Sequence, residues 1–151
     1  MDNQQGKTTE LELAWLAGFI DGEGCLDFQK GYQKALKRDT YQPRVRINNT
    51  DIPTLNKVDD LLRRMMAGHY IYWRHPENKK WKSSWDVEIV GFKKVQRFLI
   101  QINPYLYTKK EKAEMLLDFT NSRLSNEDGS GKAPYSEKEV KLLARLRNPD
   151  K

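Results

Sequence analysis

The chain has 151 residues, with 27 Lys and Arg against 21 Asp and Glu, a formal net charge of +6 and 11% aromatic residues. That is long enough for one buried core, too rich in aromatics for a disordered polyelectrolyte, and basic enough to make a polyanion the first partner to consider. Cys25 is the only cysteine, which excludes an intrachain disulfide and a cysteine-built zinc site, and the longest apolar run, Leu13 to Ile20, falls far short of the about 20 residues of a membrane-spanning helix.

Taken in order, the chain first offers a helix. Thr8 or Thr9 serves as its cap, Leu11, Leu13, Trp15, Leu16, Phe19 and Ile20 fill it, and Gly22 and Gly24 stop it. Its second half is apolar on every side, so protein must surround it, while Ala14 and Gly18, four apart, let another backbone come close. Two strands follow, in which Cys25, Asp27 and Gln29 alternate with Leu26 and Phe28, and Arg44, Arg46 and Asn48 alternate with Val45 and Ile47. Thr50 or Asp51 then caps a helix carrying Ile52, Leu55, Val58, Leu62 and Met65 at helical spacing, with Pro53 in its first turn.

The pattern then repeats. Tyr70, Tyr72 and Arg74 alternate with Ile71 and Trp73, and Asp86 and Glu88 alternate with Trp85, Val87 and Ile89. Helices are predicted from Gly91 to a break near Asn103 and Pro104, from about Thr108 through Leu124, and from a Ser136/Glu139 capping box through Leu146, after a connector at 126–131. The duplicated order of helix, strand, strand predicts an α+β fold: a four-stranded antiparallel sheet with helices on one face. The open face would carry Gln29, Arg44, Arg46, Asn48, Tyr72, Arg74, Asp86 and Glu88, side chains suited to base edges and phosphates.

Charge is clustered along the chain. The stretch from Met1 to Asp27 has Lys7 as its only cation, whereas Lys30, Lys34, Lys37, Arg38, Arg44 and Arg46 form one basic group and Lys93, Lys94, Arg97, Lys109, Lys110 and Lys112 another. Such groups are either solvated faces or the footprint of a nucleic acid.

The segment Leu16-Ala17-Gly18-Phe19-Ile20-Asp21-Gly22-Glu23-Gly24 resembles the signature of LAGLIDADG homing endonucleases. The likeness continues through Ile47-Asn48-Asn49-Thr50-Asp51 and through Pro104-Tyr105-Leu106-Tyr107-Thr108-Lys109-Lys110, covering roughly residues 8 to 125. It implies a site-specific double-strand DNA endonuclease with a saddle-shaped sheet in the major groove, metal-dependent phosphodiester hydrolysis, and Mg²⁺ as cofactor, with Mn²⁺ or Ca²⁺ able to occupy the same sites. By the same resemblance Glu23 and the Gly22 carbonyl would hold the metal, Asp21 would shape the helix end, and Lys109, or else Lys110, would stand near the attacked phosphate. Asn49 would order water. Only one copy of the motif is present, so the resemblance implies a homodimer joined through Ala14, Ala17, Gly18 and Asp21 on a long, near-palindromic site. Glu at position 23, where Asp is frequent, is the one departure, and the longer side chain still offers a carboxylate.

Other conspicuous residues receive plainer readings. His69 and His75 flank the third strand as surface or edge residues, Trp15, Trp73 and Trp85 are expected in the core, and Trp81, in the loop Asn78 to Lys82, either touches DNA or covers the loop. The expected organisation is a single domain over 1–151, with its core at about 8–125 and a helical extension at about 134–148. The chain is expected to be intracellular, in a microbial cytoplasm or an organelle such as a mitochondrion or chloroplast, in the setting of a mobile intron or intein. Two competing functions remain: a non-cleaving intron-RNA maturase or DNA-binding regulator with the same fold, and a protein-interaction domain that would show no salt-sensitive DNA binding.

Overall fold

A computed structural model describes residues 7–74, 80, 82–125 and 133–147. Helix α1 (Glu10–Glu23) begins with a full capping box: the Thr9 hydroxyl accepts from the Glu12 N–H, and Glu12 accepts from the Thr9 N–H. Of the two threonines considered, Thr9 is the cap. The helix runs through Gly22 and passes directly into strand β1 (Gly24–Gln33), because Gly24 is extended rather than left-handed. Glycine is required there by proximity, since a Cβ would lie 2.9 Å from the Ile20 carbonyl oxygen.

Strand β2 (Arg38–Asn49) returns antiparallel to β1 and leads to α2 (Ile52–Arg64), whose N-terminus is capped by Asp51 accepting from the Thr54 N–H. At its other end Met66 N–H bonds Arg63 O and Ala67 N–H bonds Leu62 O, with Met66 left-handed at φ 56°. This is the usual glycine position of such a helix stop, occupied here by methionine. Strands β3 (Tyr70–Arg74) and β4 (Ser84–Val90) follow, then α3 (Phe92–Ile102), a 3-10 turn at Asn103–Tyr105, α4 (Lys110–Leu124) and α5 (Glu137–Arg147). The strand order is β1-β2-β4-β3, antiparallel throughout.

Leu26, Val45, Ile47, Val87 and Ile89 point from the sheet into a core completed by Leu16 and Ile20 of α1, Leu55, Val58 and Leu62 of α2, Phe98 and Ile102 of α3, and Leu116 of α4, all buried. The predicted α+β architecture, with helices on one face of an antiparallel sheet, is therefore the observed one. Among the strand positions expected to point inward, only those of β3 are exposed. Ile71 and Trp73 remain 42% and 51% exposed, because β3 is a short strand at the sheet edge, beyond the reach of the core beneath the other three. Trp73 thus leaves its expected core position and packs edge-on against half-buried Trp85, while Trp15 stacks on Phe19.

The predicted Ser136/Glu139 capping box is present, and it does more than start α5. Glu139 forms a buried ion pair with Arg123 of α4 at 3.1 Å and accepts from the Ser122 hydroxyl. The guanidiniums of Arg38 and Arg123 both lie over the Tyr135 ring, whose hydroxyl accepts from the Tyr41 N–H. Burial alone would raise the Glu139 carboxyl, but the Ser136 N–H, the Ser122 hydroxyl and the Arg123 charge outweigh it and hold its pKa below the ordinary carboxylate range. The C-terminal helix is thereby pinned to both α4 and β2.

Candidate active site and nucleic-acid interface

Glu23 is the last residue of α1 and is exposed, and among the described residues no cation pairs with it. The helix end leaves its final carbonyls without intrahelical partners and concentrates partial negative charge there. One of them, the Asp21 carbonyl, accepts from the Lys109 ammonium at 2.7 Å. Asp21 in turn anchors the approach to α4, its carboxylate accepting from the N–H groups of Tyr107 at 2.8 Å and Lys109 at 2.9 Å. Three contacts between residues so far apart in sequence fix Lys109 beside the end of α1. Lys110 begins α4 and shares none of them.

Because β1 starts at Gly24 and the antiparallel β2 ends at Asn49, both asparagines come to the same end of the sheet as Glu23. Asn48 faces the open side and donates to Ser84 at 2.9 Å and Asp86 at 2.6 Å. Asn49 faces the other way, its side-chain carbonyl accepting from the Asp51 N–H at 2.7 Å to shape the turn into α2.

The strand register puts the expected reading residues on one open face. Asp27 stands opposite Arg44, Gln29 opposite Gln42, Arg46 opposite Glu88, Asn48 opposite Asp86, and Tyr72 opposite Asp86 from the other side. Gln29, Asn48, Tyr72 and Arg74 are exposed there, whereas Arg44, Arg46 and Glu88 are half-buried. Asp86 departs from the expectation. It is 8% exposed and held between Asn48 and Arg74, the latter at 2.8 Å, so it positions its neighbours instead of presenting itself. Tyr70, read on the same strand face as Tyr72 and Arg74, lies here too, and so do Gln42 and Ser84, which sequence reasoning missed. Their signal was the register itself, which no single strand carries.

Asp27 was missed as a partner. Its carboxylate accepts from Arg44 Nε at 2.9 Å, Arg44 Nη2 at 3.0 Å and Arg46 Nη2 at 2.8 Å. The hydrogen bond to Asp27 is the main reason that the Arg44 pKa is raised above its usual value.

On α1, Leu11, Ala14, Gly18 and Gly22 form an exposed stripe at helical spacing. A Cβ at Gly18 or Gly22 would meet nothing within 4 Å, so packing inside the chain gives no reason for glycine at either. Ala17 does not belong to this stripe. It is completely buried in the chain's own core, which corrects its expected place at an interface between chains.

A family model described as a LAGLIDADG-like domain matches residues 10–103, the stretch that holds α1, the sheet and α3. The chain belongs to the LAGLIDADG family. No curated protein matches it in sequence. Among solved structures it is similar to the homing endonuclease I-CvuI in complex with its target in the presence of 2 mM Ca, with TM-score 0.67 and 20% identity, over 91% of this chain and 80% of that one. It is similar also to the archaeal intron-encoded homing endonuclease I-Vdi141I complexed with DNA, with TM-score 0.67 and 16% identity, over 94% of this chain and 86% of that one. A third similar structure is I-LtrWI bound to target DNA, with TM-score 0.67 and 18% identity, where 95% of this chain covers 45% of that one.

In this LAGLIDADG chain the donors near the end of α1 are oxygens, the Glu23 carboxylate and the Gly22 carbonyl, which suits a hard divalent cation that keeps several ligands from water and phosphate. No group of three His, Cys, Asp and Glu suited to a metal occurs among the described residues. His69 is accounted for structurally, bonding the Ala67 carbonyl and the Asp59 carboxylate at 2.9 and 2.7 Å. His75 and Trp81 lie outside the described residues.

Proposed function

We propose that this chain is a homing endonuclease that acts as a homodimer and hydrolyses one phosphodiester on each strand of a long, near-palindromic duplex, with divalent metal. The observation that carries this reading is the end of α1, where an exposed carboxylate with no ion partner among the described residues sits beside a lysine fixed through Asp21. Glu23 and the Gly22 carbonyl would hold the cation, Mg²⁺ in the cell, with Mn²⁺ or Ca²⁺ able to replace it. Such an ion, when bound, supplies a Lewis acid at the phosphate and a hydroxide source near neutral pH.

The chain's own residues do the rest. The Lys109 ammonium would stand where negative charge develops on the attacked phosphate, and its tie to Asp21 supports this reading by holding it beside the end of α1. The Asn49 amide would order water at the same end of the sheet. Arg46, Asn48, Gln29, Tyr72 and Arg74 would meet the major groove, with Asp86 and Glu88 setting their positions, while Arg44 stays bonded to Asp27.

The homodimer is supported by the stripe on α1. Gly18 and Gly22 each lower helix stability by about 1 kcal/mol relative to Ala, and the single chain shows no packing that requires them. Two copies crossing at these glycines would bring two Glu23 carboxylates together. I-LtrWI, of which this chain covers 45%, has the length that such a pair would have in one polypeptide. The relatives described as intron-encoded support a mobile-intron setting.

The test is cleavage-site selection from a randomised duplex library with Mg²⁺, comparing the natural chain with Glu23→Gln. A near-palindromic site cut only by the natural chain supports the reading. Binding of duplex or intron RNA by both proteins, with cutting by neither, transfers the function to a maturase or regulator.

A further inference from the structure

The two arginines on β2 look equivalent in sequence, but Asp27 treats them differently. Arg44 uses both Nε and Nη2 on the carboxylate and its side chain is 18% exposed. Arg46 engages Asp27 through Nη2 alone, with Cys25 Sγ 4.0 Å from the same nitrogen, is 35% exposed, and has no partner for Nη1 among the described residues. Its Nε is buried without a hydrogen bond, which leaves the guanidinium tip as its open donor edge. Flexible arginines on a DNA-facing surface tend to seek phosphates, which carry no sequence information. A guanidinium held at one corner by a carboxylate has already lost that freedom, and its tip can only meet what the groove presents.

We propose that Asp27 is a positioning residue for sequence recognition: it commits Arg44 to the protein and fixes Arg46 so that its free tip reads the paired acceptors of a guanine. Guanine follows from the chemistry, because its O6 and N7 are the adjacent acceptors in the major groove that match two guanidinium donors. The inference rests on the duplex-binding reading above and assigns a function to an acid that otherwise opposes DNA binding by its charge.

The experiment is binding selection from a randomised duplex library in Ca²⁺, followed by salt-dependent affinity for a selected and an unrelated duplex. The natural chain is compared with Asp27→Asn, Asp27→Glu and Arg46→Ala. The natural chain should require guanine at one symmetry-related pair of positions. Asp27→Asn, of nearly equal size, should lower that preference by about tenfold or more, while raising affinity for the unrelated duplex, because two cations are released toward phosphates. Arg46→Ala should abolish the same preference, and Asp27→Glu, which keeps the charge, should restore most of it.

Thermal unfolding of each variant separates this role from a structural one. A purely structural Asp27 would lower stability and weaken binding to every duplex alike, and that result overturns the proposal, as does full guanine preference in Asp27→Asn. If the natural chain shows no salt-sensitive duplex binding, the proposed function fails and this inference with it. If it binds selectively and Asp27→Asn leaves selectivity intact, only this inference fails.

Discussion

The two ends of the fold are built on opposite rules. At the corner of α4, α5 and β2, ionic groups are buried and paired: Arg123 and Glu139 are 0% and 3% exposed by side chain and meet at 3.1 Å, and Ser122, Ser136 and the Ala133 carbonyl take up further hydrogen bonds. At the end of α1, Glu23 stands open, the final carbonyls crowd one point, and glycines leave room that nothing in the chain fills. Closed polar networks give a unique structure, and open ones give a place for ligands. A residue's contribution to stability should therefore fall along the path from the first region to the second.

The largest loss is expected at the closed corner. Arg123→Ala leaves Glu139 buried without its cation and should lower stability by about 3–5 kcal/mol, read as the change in denaturant midpoint. A loss below 1 kcal/mol would mean that the corner is not a structural clamp.

Glu12 gives an intermediate case, since it repeats the capping-box design of Glu139 nearer to solvent. It pairs with Arg64, whose hydrogen bond is the chief cause of a carboxyl pKa lowered to about 2, with the Thr9 N–H next. Because the folded pKa lies below the unfolded one, the stabilisation is present above about pH 4.5 and disappears as pH falls through about 2. Glu12→Gln should cost about 1 kcal/mol at pH 7, less than the shift alone would give because both side chains reach solvent. The gap between the unfolding curves of the two proteins should close as pH falls through about 2, and an unchanged gap below that would mean that the pair is not what stabilises α1.

Met66→Gly should raise stability by about 0.5–1 kcal/mol, since glycine adopts φ near 56° without the steric cost. A melting temperature that falls would show that the exposed methionine side chain makes contacts worth more than that relief.

Gly18→Ala should leave the isolated chain as stable or slightly more so, yet shift sedimentation toward monomer, because the added methyl group blocks close approach along the α1 stripe. Retained association would remove α1 as the interface. Smallest of all on stability is Glu23→Gln, expected within about 0.5 kcal/mol of the natural chain while cleavage is lost. A large destabilisation would make Glu23 a structural residue and erase the contrast between the two regions.

Local chemistry was enough to locate most of the fold. The Thr9 and Ser136 caps, the proline and glycine boundaries, and the alternation in β1, β2 and β4 each concern residues within a few positions of one another, so the chain itself states them. The motif from Leu16 to Gly24 likewise carried the candidate carboxylate, because helix, stop and acid lie side by side. What failed was what depends on neighbours from elsewhere. Trp73 and Ile71 have core-like chemistry but sit on an edge strand, and Ala17 has the small size of an interface residue but faces inward.

The sequence by itself determined the helices and strands, their duplicated order, the family and the acid at the end of α1, since all of these rest on spacing along the chain. Only the tertiary structure decided that Lys109 is the lysine joined to that helix end, that Asp27 holds Arg44 and Arg46 unequally, and that Asp86 supports the open face from within it. Each of those choices turns on hydrogen-bond geometry between residues far apart in sequence, where a difference of an ångström separates a bonded partner from a bystander.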